Sequence, residues 1–192
     1  MLAAAARAAA AWKNGGGVTR EVAVYPAGSV LGSFEWRVSI AEIHRGGPFS
    51  VYAGIDRHLA VLDGQVSLAV EGRTLSLSAD SAPLTFGGEL PVYAEPTAGP
   101  VIDLNLMVRR GRWRAELSRH ALPQPGAVTL AADTTILIAL TPLRVTVQGK
   151  RYALARLDAL QLEEVAQCKV QPAATQPGSA GAFYLAGVSR TP

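Results

Sequence analysis

LAVEGRTL, residues 68–75, reads as a β-hairpin. An apolar run ends in valine, an acid and a glycine follow, and a basic residue opens a second run. Glycine at that place suits the positive φ of a tight hairpin turn. The order returns at residues 145–152, VTVQGKRY, and Gly149 stands 149 − 72 = 77 residues beyond Gly72. A hairpin repeated at that spacing predicts two similar β-domains in tandem.

The chain on either side agrees. Short segments rich in Val, Leu and Ile alternate with Gly, Pro, Asp and Asn, which is strand-and-turn punctuation. The expected strands are 19–25, 35–42, 58–63, 66–70, 74–77, 92–94, 102–108, 134–139, 143–147, 152–157 and 182–188. A helical period is confined to the alanines at the start and a turn near 157–165. Many short strands make the chain all-β, a barrel or sandwich. Residues 111–126, with RWRAELSRH and then PQPG, form the boundary between the halves, and QPAATQPGSAG at 171–181 is a loop.

Composition narrows the classes. The 192 residues suffice for one large domain or two small ones, and a hydrophobic fraction of 49% predicts a packed interior. A net charge of +3 is too small for a general nucleic-acid coat. The single cysteine, Cys168, rules out an internal disulfide and a cysteine-built zinc cluster. It fits a reducing, cytoplasmic setting. The opening MLAAAARAAA lacks the basic and Leu-rich parts of a signal peptide and is interrupted by Arg7, so a frayed helix or tail is expected. No run reaches the ~18 apolar residues of a membrane span.

Alternate residues of a strand share a face. In EWRVSIA (35–41), Trp36, Val38 and Ile40 share one face, and Arg37, Ser39 and Ala41 the other. In IDLNLMV (102–108), Leu104, Leu106 and Val108 oppose Asp103, Asn105 and Met107. The alternation leaves open which face is inside. In an antiparallel sheet the polar row commonly meets water. Turned into a small barrel, an Arg–Ser row and an Asp–Asn row must pair with each other or with a ligand. Near the start, WKNGGGVTRE (12–21) sets three glycines beside Lys13, Asn14, Thr19 and Arg20. Glycines let successive N–H groups form an anion-binding concavity. The plainer alternative is a flexible entry loop. The order of a P-loop and the dinucleotide fingerprint are both absent.

WKNGGGVTRE, then FEWRVSIAEI (34–43), GGPFSVYAGIDRHLAVLDG (46–64) and DLNLMVRRG (103–111) resemble, in order, the signature segments of the HutD/Ves family. One departure is Ala11, where the family has proline. The resemblance implies a bicupin, two small β-barrels of the RmlC-like cupin (jelly-roll) type. The division is 1–110, carrying a ligand pocket, and 111–192. It points to Lys13, Asn14, Thr19, Arg20, Arg37, Ser39, Glu42, Arg57, Asp103 and Asn105 as ligand-binding positions. It also associates the chain with histidine utilisation, as a regulator or binder of a pathway intermediate such as formylglutamate or urocanate.

The chemistry of the residues weighs toward binding. His44, His58 and His120 are isolated and form no H-x-H, so no metal or other cofactor is expected. No nucleophile motif occurs, and Cys168 reads as a buried bystander thiol. Arginine suits carboxylate recognition because its planar fork binds both oxygens. The alternative is a metal-independent isomerase or lyase with Glu42 or Asp103 as acid or base. The basic run RRGRWRAELSR (109–119) reads as a charged connection rather than a nucleic-acid track. The expected partner is a small carboxylate metabolite, with no membrane and no nucleic acid; a homodimer through strand edges fits the class.

Overall fold

The computed structural model describes residues 1–173 and 180–192; part of the loop expected at 171–181 therefore lies outside the described residues. A single 3-10 turn, Ala4–Ala6, precedes the strands. Ten strands follow in the first part of the chain: β1 (Ala9–Ala11), β2 (Gly17–Tyr25), β3 (Trp36–Ile43), β4 (Gly47–Pro48), β5 (Ile55–Asp63), β6 (Gln65–Val70), β7 (Arg73–Ser78), β8 (Leu84–Gly87), β9 (Val92–Pro96) and β10 (Val101–Arg109). The second part carries β11 (Trp113–Leu122), β12 (Gly126–Thr129), β13 (Thr134–Ala139), β14 (Leu143–Val147), β15 (Lys150–Leu154), β16 (Ala159–Glu163), β17 (Gln167–Pro172) and β18 (Gly181–Arg190).

The sheets repeat themselves. In the first part the orders are β1-β2-β3-β10-β5-β8 and β4-β9-β6-β7; in the second they are β11-β18-β13-β16 and β12-β17-β14-β15. Shifting each of β3 to β10 by eight strands reproduces the second pair of sheets. Each half is thus an eight-stranded double-sheet jelly roll, and the first adds the β1–β2 hairpin at the free edge of β3. The repeated hairpin is part of this plan. Glu71 and Gly72 lie at φ 48° and 75°, Gln148 and Gly149 at 47° and 76°. Two successive positive φ values make a turn whose twist matches the strands it joins.

Met1–Ala6 with Ala115–Pro192 form one compact unit, and Arg7–Arg114 the other. In the first of these, Leu2 pairs with Ala159, and the Ala4 amide donates to Asp158 Oδ1 at 2.7 Å. Its core includes Leu137, Val145, Val170, Phe183 and Leu185. The core of the Arg7–Arg114 unit gathers Ile43, Leu59, Val61, Leu68 and Val101.

Several segments differ from the sequence reading. The opening alanines form no helix beyond the 3-10 turn, and Ala9–Ala11 pairs with β2 as a strand. The turn expected near 157–165 is largely strand β16, paired with β13. The basic connection holds β11, because Trp113 and Leu117 are buried between exposed charged positions. No helix among the described residues is long and apolar enough to cross a membrane.

Candidate functional site

Strand parity builds a polar cavity inside the Arg7–Arg114 unit. On β3 the odd residues Arg37, Ser39 and Ala41 turn inward; on β10 the inward row is Asp103, Asn105 and Met107. The register sets Met107 between Arg37 and Arg57, Asn105 between Ser39 and Leu59, and Asp103 between Ala41 and Val61. A register shift between Ile102 and Asp103 breaks the β10–β5 ladder at that level. Such a bulge re-aims the side chain next to it. Farther along the same rows come Ile43, Val61 and Val101, so the interior passes from polar to apolar core. The cavity is about 560 Å3. That is within the usual size of a small-molecule site. The faces bearing Trp36, Val38, Leu104 and Leu106 are buried too. Both faces of these strands are therefore withdrawn from water, which alternation cannot reveal.

The floor is a linked set of buried groups. Arg57 is 6% exposed and Asp103 only 2%. Arg57 Nη2 donates to Asn105 Oδ1 at 2.7 Å, and Asn105 Nδ2 donates to Asp103 Oδ1 at 3.0 Å. The two bonds fix the asparagine amide, with its acceptor toward the cation and its donor toward the anion. The Arg57 guanidinium sits over the rings of Phe49 and Phe86, at 4.9 and 5.1 Å. Aromatic faces offset part of the cost of burying a cation. Burial still lowers the Arg57 pKa, against the opposing effect of Asp103. Among the described residues its Nε–H has no acceptor. Burial pushes Asp103 up to about 6, while Arg57, Asn105 and the Ala41 amide hold it back.

Arg37 lies on the wall, its Nε donating to Glu21 at 2.9 Å and its Nη1 to Ser39 at 3.3 Å. Lys13, Asn14 and Thr19 line the rim from the β1–β2 hairpin. Thr19 accepts the Trp12 indole N–H at 2.8 Å, and Asn14 Oδ1 accepts the Gly16 amide at 2.9 Å. The glycines do not make an open anion cradle. The Gly15 amide is spent on Trp12 O at 3.0 Å and the Gly16 amide on Asn14, so these donors close the turn. Arg20 and Glu42 stand apart. Glu42, an even residue of β3, belongs to the opposite face and forms an ion pair with Arg20. Neither lines the cavity.

The cavity also contains residues that the family pattern did not single out. Phe49, Ser50 and Tyr52 line it beside Leu31 and Trp12. The first three fall within GPFSVYAG, where only the arginine further on had an obvious chemical role. Three arginines of the basic run, Arg109, Arg110 and Arg112, are held by acids. Arg110 contacts Asp56 and Glu89, and Glu35 takes both Arg112 Nη1 and the Trp113 indole. Among the described residues, no group of three or more His, Cys, Asp or Glu is placed to hold a metal ion.

A tandem jelly roll with a polar cavity inside its first barrel defines a bicupin. A cupin barrel protein from Leptotrichia buccalis shares the fold, with a TM-score of 0.59 at 11% identity, covering 90% of this chain and 89% of that one. Within that class the chain belongs to the HutD family, which it matches over residues 4–178. HutD from Pseudomonas fluorescens SBW25 is 30% identical, with a TM-score of 0.80 over 100% of this chain and 98% of that chain. An uncharacterised 21.2 kDa protein in the hutC 3′ region of Pseudomonas putida is 34% identical over 79% of this chain and 80% of its own length. Protein Ves of Cronobacter sakazakii is 43% identical over 55% of this chain, a match that spans 58% of Ves.

Proposed function

We propose that the first barrel binds a small carboxylate-bearing metabolite and that the protein serves as a cytoplasmic regulator in histidine utilisation. The observation that carries this reading is the charge of the cavity. Lys13, Arg37 and Arg57 line it against a single acid, Asp103. Asn14, Thr19, Ser39 and Asn105 supply orientation, while Phe49, Tyr52 and Met107 give the ligand an apolar body to lie against. The relative in the hutC 3′ region supports an intermediate of histidine breakdown, with formylglutamate and urocanate as the first compounds to try.

A thermal-shift screen of those compounds and other small carboxylates tests it. A ligand of the native state raises the melting temperature by mass action, by an amount that grows with ligand concentration. One compound should do so, and Arg37→Ala should remove at least tenfold of its affinity while the protein stays folded. Folded protein that responds to no carboxylate would overturn the reading.

A second reading has one observation of its own. Asp103 is a buried carboxyl held near neutrality inside the cavity, which is how a general acid or base is tuned. Glu42, on the other face, has no access to the same ligand. Slow conversion of a bound compound, abolished in Asp103→Asn with binding kept, would establish turnover.

A further inference from the structure

We propose that the cavity takes up a proton together with its anion: as a carboxylate ligand enters, Asp103 becomes protonated from solvent. This rests on the carboxylate reading above and adds a control by pH to the same site.

Geometry leaves Asp103 without a direct charged partner, because one amide, Asn105, stands between it and the Arg57 guanidinium. Asp103 lies four residues along β10 from Met107, the level at which Arg37 and Arg57 flank the strand. Its own flanking residues are Ala41 on β3 and Val61 on β5, neither of which brings charge. Among the described residues Asp103 makes no ion pair; its side-chain partner is the Asn105 amide. The charged and titratable groups that face it are Arg37 from β3, Arg57 from β5, Tyr52 from the segment before β5 and Lys13 from the β1–β2 turn. Asp103 is the one carboxyl in the lining. Glu21 is turned to Arg37, and His58, one residue from Arg57 and so on the other face of β5, bonds Thr85.

A ligand carboxylate changes this balance in two ways. It adds a like charge to the cavity, and it competes with Asp103 for the attraction of the Arg57 cation. Both favour the neutral carboxyl. Burial already holds the group near the point of change, at about 6. Once neutral, Asp103 gains an O–H that can donate to a ligand oxygen. The proton comes from solvent and no bond within the ligand is altered. By linkage, affinity must then fall as pH rises through the range in which only the complex is protonated.

Calorimetric titration of the full chain with N-formylglutamate tests this, since the carboxyls of that probe are ionised above about pH 5.5. Repeating the titration near pH 7.5 in buffers of different ionisation enthalpy counts the protons. The expected result is uptake approaching one proton per ligand, with Kd rising up to about tenfold per pH unit above about 6.5. Asp103→Asn, a permanent neutral mimic, should lose both the uptake and the slope and bind more tightly than the native chain at pH 8. Binding with no proton uptake and a flat Kd would overturn the proposal while leaving the carboxylate reading intact. A slope that persists in Asp103→Asn would overturn it as well. No binding of N-formylglutamate, or of any other small carboxylate, at any pH would overturn the carboxylate reading and this proposal with it. Should the variant fail to fold, the proton count on the native chain decides alone.

Discussion

Asp103 accepts one amide proton from a side chain and one from the backbone, yet its charge has no ion-pair partner in the cavity wall. Burial therefore dominates, and its pKa rises from 3.8 to about 6. A raised carboxyl pKa favours the folded state when protonated. That stability is complete below about pH 4 and is lost as pH climbs through about 6. At about 1.4 kcal/mol per unit, the native fold forgoes on the order of 3 kcal/mol at neutral pH. Asp103→Asn keeps the shape and the Asn105 contact without the charge. Denaturant unfolding of variant and native chain from pH 4 to pH 7 should show the variant gaining relative stability as pH rises. A constant difference would mean that Asp103 is stabilised by something other than its visible partners. The cost is intelligible if the residue is retained for the ligand, since functional sites commonly carry groups that the fold alone would not keep.

The glycine triplet shows its meaning at the scale of the element. Gly17 opens β2 opposite Ile43, and a Cβ there would meet Glu42 O at 2.3 Å. The obstacle is backbone, so it cannot swing aside. Gly17→Ala should destabilise the chain by about 1–3 kcal/mol, read as a lower denaturant midpoint with an unchanged slope. A neutral result would mean that β2 can part from β3 at little cost, and that the hairpin bearing Lys13 is not firmly held. The same element marks how much was legible in the sequence. Alternation revealed β3 and β10 and sorted Arg37, Ser39, Asp103 and Asn105 onto shared faces. It was silent on which face is internal, because Trp36, Val38, Leu104 and Leu106 on the other side are equally buried. Arg20 and Glu42 share the family pattern with the lining residues, and only the parity of the paired strands puts them across the sheet. Strand β11 stayed hidden because its exposed positions carry two arginines and a glutamate that read as a connection. Strands β1 and β4 are too short, at three and two residues, to show a period.

For the whole molecule, the repeat of eight strands makes a comparison that no single barrel offers. The inward row of β10, Asp103, Asn105 and Met107, corresponds by position in the sheet to Phe183, Leu185 and Gly187 on β18. Arg57 on β5, opposite Met107, corresponds to Thr135 on β13, opposite Gly187. Phe183 and Leu185 are part of the apolar core of the second barrel. One topology has thus been filled in two ways, with a charged relay in the first copy and close-packed side chains in the second. Apolar packing needs no partner, whereas burial of the Arg57–Asn105–Asp103 relay outweighs the help that its members give one another. Ligand binding should therefore be felt unequally along the chain. In hydrogen exchange followed by mass spectrometry on the full chain, a bound carboxylate should slow the amides of β2, β3, β5 and β10. At a ligand concentration of 100 Kd, openings that release the ligand should become about a hundredfold rarer, which corresponds to about 2.7 kcal/mol. Amides of β13, β14, β17 and β18 should keep their rates wherever they exchange without opening the first barrel. Protection concentrated in the second barrel would move the site out of the charged cavity. Equal slowing everywhere would mean that the two barrels open only as one unit, because a ligand held by one barrel protects the other only when their unfolding is shared.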